Sequence, residues 1–314
     1  MKRRRFIKST GLGLAATGLA PLSFTSCSDL INEEQALALN SEIPANFPYG
    51  ISLAQWSLHK SHWSGELNNL DFAQYAREKF NLDAVEYVNQ FFSDKAEDTE
   101  YLNQMNQRAA DNGIKNVLIM IDLEGNLAVL NDPERLKAVE NHYKWIDAAK
   151  YLGCHSIRVN AVGKGDPQSV ADAAVDSLGR LSEYGAKENI GVVVENHGGY
   201  SSDAGWLAGV MKQVNNPYCG TLPDFGNFTM SLFPPRSYDP YRGVKELMPY
   251  AKGVSAKTHD FDSSGQDKKI DFKRMMQIIG ASGYKGYIGI EYEGYKLSED
   301  AGILATKKLI IDSV

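Results

Sequence analysis

The sequence predicts a single (β/α)8 barrel, and three observations carry the prediction. From Gly50 to the C-terminus, eight short runs rich in β-branched and apolar residues alternate with longer amphipathic helical stretches. The strand starts recur roughly every 30 to 40 residues, the length of a strand plus its crossover helix, and eight such units in about 270 residues is the size of a closed barrel. A doubly wound open sheet would place a glycine-rich phosphate turn after the first strand, and Ala54-Gln55-Trp56-Ser57 offers none.

The strands are expected near residues 51–54, 84–88, 117–121, 156–160, 191–195, 220–224, 253–258 and 287–291. Helical periodicity fills 70–80, 99–112, 133–152, 168–189, 204–214, 241–250 and 272–282, and 299–311 closes the chain. The stop and start signals agree: Asp132 followed by Pro133 reads as a cap with proline in the first turn, and Gly113 and Gly153 follow periodic runs as helix ends.

Ahead of the barrel, Lys2, Arg3, Arg4, Arg5 and Lys8 precede an apolar small-residue run of about 12 residues, too short to span a bilayer comfortably. The stretch Arg3-Arg4-Arg5-Phe6-Ile7-Lys8 fits a twin-arginine export pattern, so residues 1–27 read as an export signal of a bacterial protein, periplasmic or membrane-anchored. Cys27 after Phe24-Thr25-Ser26 resembles a lipoprotein cleavage box, with Phe24 a poor match. Residues 28–46 are polar, end in Pro44-Ala45-Asn46 and read as a linker, leaving 47–314 as the barrel.

Composition narrows the function. With 43% hydrophobic and 23% charged residues the 314-residue chain has ample apolar surface to bury, so disorder is excluded. A formal net charge of -6 provides no global basic field for a phosphate backbone, which argues against nucleic acid as a partner. Apart from Cys27 the cysteines are Cys154 and Cys219, without metal-type spacing, and they read as small buried side chains.

Chemistry on a barrel sits where strands end, at the C-terminal face. The fifth strand ends Val194-Glu195-Asn196-His197-Gly198-Gly199, with Glu195 and His197 on the same face by parity. The sixth ends Pro223-Asp224-Phe225-Gly226-Asn227 and the eighth Ile290-Glu291-Tyr292-Glu293-Gly294, where Glu291 directly follows the apolar run. On the seventh, Ser255, Lys257 and His259 share a face. Three carboxylates meeting at one mouth would raise each other's pKa unless a cation sits among them. Carboxylate oxygens with one imidazole suit one divalent metal, Mn, Mg, Co or Zn, with no choice among these. Lys257 would polarise a substrate oxygen or pair with an inward carboxylate.

The strand ends reading ENHGG, DFGN, AKTHDFD and IEYEG resemble the xylose isomerase-like sugar isomerase and epimerase family over residues 48–314. The resemblance implies Glu195, Asp224 and Glu291 as ligands of one divalent metal, with Glu195 and Glu291 also moving protons. Two departures accompany it. Asn227 stands where many relatives have a histidine, and Ser255 occupies the place of the ligand histidine, two residues before Lys257. His259 is therefore taken as the imidazole ligand.

The implied reaction is isomerisation or epimerisation of a sugar through an enediolate. The loop from Gln55 to Trp63 is dense in rings and donors, and sugar pockets stack ring faces on aromatics. Trp56 is the expected platform with Trp206, Phe92 and Phe228 behind it, and Glu86, His197 and Asn227 are expected to bind substrate hydroxyls, Glu86 alternatively pairing with Arg158. Without an Arg and Lys cluster at the strand ends, the expected partner is an unphosphorylated, free or keto-modified sugar. A degenerate carbohydrate-binding barrel and a lyase or dehydratase using the same enolate are the alternatives. Membrane contact is expected only through a lipid on Cys27, and oligomerisation is left open.

Overall fold

The computed structural model describes residues 30–314. The export signal and Cys27 lie outside the described residues. Eight parallel strands form the barrel: β1 (Gly50–Ala54), β2 (Ala84–Val88), β3 (Lys115–Met120), β4 (Ser156–Val159), β5 (Gly191–Glu195) and β6 (Cys219–Leu222), then β9 (Val254–Thr258) and β10 (Tyr287–Tyr292). Between β6 and β9 an antiparallel hairpin, β7 (Thr229–Leu232) and β8 (Pro235–Ser237), stands apart as its own two-stranded sheet. The ladder runs β6-β5-β4-β3-β2-β1-β10-β9, and the parallel bridges Thr221 to Ala251 and Asp224 to Ser255 close it.

The strand and helix expectations agree with this architecture to within a few residues at each end. Helices Phe72–Phe80, Thr99–Asp111, Asp132–Tyr151, Pro167–Glu188, Ala204–Val214, Pro240–Leu247, Phe272–Ala281 and Glu299–Asp312 cover the barrel. Their starts are fixed chemically, since Asp166, Asp203, Asp239, Asp271 and Ser298 each accept a backbone N–H of the first turn. One cap differs from expectation: Asn131, not Asp132, accepts from the Glu134 N–H, and Asp132 already lies inside the helix. Gly113 and Gly153 end their helices at φ of 60° and 72°, the left-handed region that glycine enters at least cost.

Residues 30–46 are more structured than a free linker. Asn32 caps the short helix Glu33–Leu37 with a reciprocal capping box to Gln35, and Ala36 is fully buried. Glu33 accepts from the Ser298 N–H at 3.0 Å and from its hydroxyl, while Asn40 accepts from buried Lys307 at 3.3 Å. The segment thus packs on the last helix. No helix among the described residues is long and apolar enough to cross a membrane.

The core has two parts. A large apolar layer between strands and helices runs round the barrel, and a smaller cluster with Val88, Val193 and Leu222 fills part of its interior. Val193 and Leu222 lie two residues before Glu195 and Asp224, so the apolar plug sits one layer below the polar mouth. Cys154 is buried and Cys219 half-buried, both as free thiols that burial pushes up, Cys219 to about 11. Both therefore pack as small, inert side chains.

Candidate active site at the barrel mouth

The carboxylates of Glu195, Asp224 and Glu291 converge, each offering an oxygen within 4.8 Å of the others, and all three are buried. Each is fixed by the end of its strand. Glu195 closes β5, its Oε2 lies 3.0 Å from Arg158 Nε, and its Oε1 accepts from Asn227 Nδ2 at 2.8 Å. Asp224 follows β6, and its Oδ1 accepts the N–H groups of Gly226 and Asn227 at 2.7 Å each. Glu291 stands on β10 beside Lys257 of β9 in the parallel register.

Ser255 and Lys257 project into this cluster from β9. Ser255 Oγ is 2.8 Å from Asp224 Oδ2 and 2.6 Å from Glu291 Oε2. A hydroxyl has one hydrogen, so both contacts are hydrogen bonds only while one of the two carboxyls keeps its proton. Burial and the neighbouring glutamates push the Asp224 carboxyl up to about 8 against the pull of Lys257. Burial also raises Glu291, but Lys257 and the Ser255 hydrogen bond outweigh it and hold this carboxyl below the usual range. Lys257 Nζ lies 3.3 Å from Glu291, 3.3 Å from Glu293, 3.7 Å from Asp224 and 4.0 Å from Glu195. Burial disfavours its charge, yet these carboxylates raise its pKa well above the ordinary lysine value.

A cavity of roughly 380 Å³ opens beside the cluster, walled by Glu291, Glu293, Arg158, Asp122, Asn160, His197 and Trp56 among others. Trp56 stacks on His59 at 5.1 Å between ring centroids and meets Trp63 edge-on at 5.2 Å and Phe91 at 6.3 Å. Cavity and carboxylates together form a polar bowl with one aromatic wall.

The predicted residues fall into three groups. Glu195, Asp224, Glu291 and Lys257 come together, and Trp56 and His197 line the cavity. Asn227 reaches Glu195 rather than open space, so its amide positions a carboxylate. Two residues stand elsewhere. His259 lies beyond the end of β9, which stops at Thr258, and faces Glu293 at 3.9 Å, outside the triad. Glu86 is buried inside the barrel at a register shift between β2 and β3; its Oε1 accepts from Ser52 Oγ at 2.5 Å, it feels the Arg158 charge without a hydrogen bond to it among the described residues, and it does not line the cavity. Burial pushes its carboxyl up to about 7. Trp206 stacks on Tyr200, while Phe92 and Phe228 are core residues, so Phe91 is the ring that joins the Trp56 wall.

Sequence reasoning missed Asp122 and Asn196. Asp122 accepts from Arg158 at 2.7 Å and Asn160 at 2.8 Å and faces the cavity. Burial acts against it, but Arg158 holds its carboxyl below the usual range. Its signal was the one used elsewhere, an acid immediately after an apolar strand. Asn196 is fully buried and pairs with the Asp224 backbone, its amide donating to the carbonyl at 3.0 Å and its oxygen accepting the N–H at 2.8 Å.

Three carboxylate oxygens at this spacing fit a hard divalent ion, whose oxygen ligands stand at about 2.0–2.6 Å. The triad could therefore hold a metal.

Comparison with known proteins agrees with the barrel fold. Residues 74–311 match the family model described as xylose isomerase-like TIM barrel. A sugar phosphate isomerase/epimerase from Parabacteroides distasonis has the same fold, with TM-score 0.63 and 16% identity over 85% of this chain and 95% of that one. The 3-keto-D-glucoside 4-epimerase from E. coli gives TM-score 0.61 and 14% identity over 83% and 97%. A xylose isomerase-like barrel from Mycobacterium smegmatis in complex with magnesium gives 0.59 and 15% over 79% and 87%. In sequence, the C-glycoside deglycosidase alpha subunit of Arthrobacter globiformis is 30% identical over 74 residues, which span 24% of this chain and 21% of that subunit.

Proposed function

The chain belongs to the xylose isomerase-like TIM barrel family, and from that premise we propose that it isomerises or epimerises an unphosphorylated keto sugar by carboxylate-mediated proton transfer. The observation that carries the reading is the convergence of Glu195, Asp224 and Glu291 beside a polar cavity with an aromatic wall. Trp56 takes the apolar face of the sugar ring, while His197, Asn160 and Asp122 meet hydroxyls. Glu291, held ionised at the cavity wall, takes the proton α to the carbonyl. Glu195, braced by Arg158 and Asn227, enters the cycle carrying a proton taken from solvent and gives it to the neighbouring carbon or to the opposite face, while Glu291 releases to solvent the proton it has taken. The first outcome is isomerisation, the second epimerisation. A divalent ion held by Glu195, Asp224 and Glu291 would supply positive charge to the developing enediolate.

One observation favours a neutral substrate: the cations at the mouth, Arg158 and Lys257, are already engaged by carboxylates. Incubating the protein with paired panels of keto sugars and their phosphate esters, and following products by NMR, tests the reading. Turnover of neutral members is expected; faster turnover of the phosphate esters contradicts it. Elimination products would identify a lyase working from the same enediolate, and ligand shifts without any product would identify a binding barrel. We further propose export through the segment before residue 28, which cell fractionation with mass measurement of the mature N-terminus checks.

A further inference from the structure

We propose that the Lys257 ammonium is the resident counter-cation of the carboxylate cluster, so that a divalent ion reaches Glu195, Asp224 and Glu291 only by displacing it. Lys257 is 2% exposed, and its Nζ stands within 4.0 Å of all three carboxylates. Among the described residues its one hydrogen bond is to Glu293, outside the triad, at 3.3 Å, which anchors the ammonium from the rim while it remains shared among the three. The stem passes close to Gly226, where an added Cβ would lie 3.4 Å from Lys257 Cγ and Cδ, an ordinary packing contact.

The oxygens an ion would need are already engaged. Ser255 spans Asp224 and Glu291, Arg158 holds one oxygen of Glu195, and Asn227 holds the other. Ser255 stands where the family resemblance places a ligand histidine, and its hydroxyl is a far weaker metal ligand than an imidazole. His259 cannot replace it, being directed at Glu293. Substituting serine at this position removes a neutral ligand, and folding Lys257 inward provides a positive charge in its stead. A divalent ion entering the triad would lie next to that charge, so the two cations compete for the same oxygens.

The inference concerns the site described above but not its substrate, and its test reads ion binding and melting instead of turnover. The chelator-treated protein is titrated with Mn²⁺ by calorimetry and melted with and without the ion. Wild type is expected to bind Mn²⁺ with a dissociation constant of about 100 µM or weaker and to melt at the same temperature after chelation. Lys257→Met, prepared with Mn²⁺ present, is expected to bind the ion at least about tenfold more tightly and to lose melting temperature when the ion is removed. Ser255→His, which keeps the lysine, is expected to gain affinity, and to gain more when combined with Lys257→Met. Submicromolar binding by wild type, or a Lys257→Met variant that folds but binds no more tightly than wild type, overturns the proposal. If Lys257→Met does not fold even with Mn²⁺, the wild-type titration alone decides.

Discussion

The interior and mouth of this barrel bring titratable groups within a few ångströms of one another, and single side chains set their charge. Glu86 is the clearest case, because it is buried with one oxygen bonded to Ser52 and the other without a hydrogen-bond partner. Its carboxyl is pushed up to about 7 by burial, against about 4.3 in an unfolded chain. With the folded pKa raised, its contribution to stability is complete below the unfolded value and is lost as pH rises through about 7. Glu86→Gln keeps the shape without the charge, so urea denaturation should show a gain over wild type that grows from pH 5 to pH 8 and reaches roughly 3 kcal/mol. An offset of equal size at both pH values contradicts this. At this scale the sequence was a good guide to acids that end strands, since Glu195, Asp224 and Glu291 follow apolar runs and converge. It was a poor guide to His259 and Glu86, because parity along a strand says nothing about where the strand stops or where its register shifts.

Secondary-structure elements place these side chains through short links at their ends. Asn196 is the main link between β5 and the segment after β6, where its side chain reproduces the pairing of a further ladder residue against Asp224. Asn196→Ala leaves the buried N–H and carbonyl of Asp224 unpaired and should cost about 1–3 kcal/mol, read by denaturation, with a loss of activity greater than the loss of folded protein. Stability loss without any change in activity per folded molecule would show that Asp224 needs no such brace. Asp239 begins the helix Pro240–Leu247 by accepting from the Arg242 N–H at 2.7 Å. Asp239→Ala should cost about 1 kcal/mol in stability and leave activity unchanged, since this cap is remote from the cavity walls. Helices were legible because caps, prolines and glycines punctuate them. The hairpin was not: Thr229–Leu232 and Pro235–Ser237 are short and surface-exposed, and they carry none of the alternating burial that marks a strand in sequence.

For the molecule as a whole, period and count were enough, because eight strand-helix units in this length admit few other closed arrangements. What they could not show is how the segment before the barrel is used. Residues 30–46 lie on the final helix through Glu33 with Ser298 and Asn40 with Lys307, whose ammonium also donates to the Phe80 carbonyl at 2.6 Å. Burial lowers the Lys307 pKa to about 8. A chain starting at residue 47 should melt several degrees lower than one starting at residue 30, at roughly 2–4 °C per kcal/mol for a protein of this size; equal melting temperatures would restore the linker reading. The segment was misread because polar composition describes a loop and a capped surface helix equally well. All of these scales meet in one claim, that Glu195 and Glu291 move the proton next to a sugar carbonyl. Deuterium wash-in from D2O into a keto sugar turned over by the protein measures that movement directly. Wild type should place deuterium at the carbon α to the carbonyl, and Glu195→Gln, folded with the same melting behaviour, should slow exchange by about 10²–10⁴-fold. Exchange that continues at the wild-type rate in Glu195→Gln, or product formed by wild type without any deuterium, would contradict it.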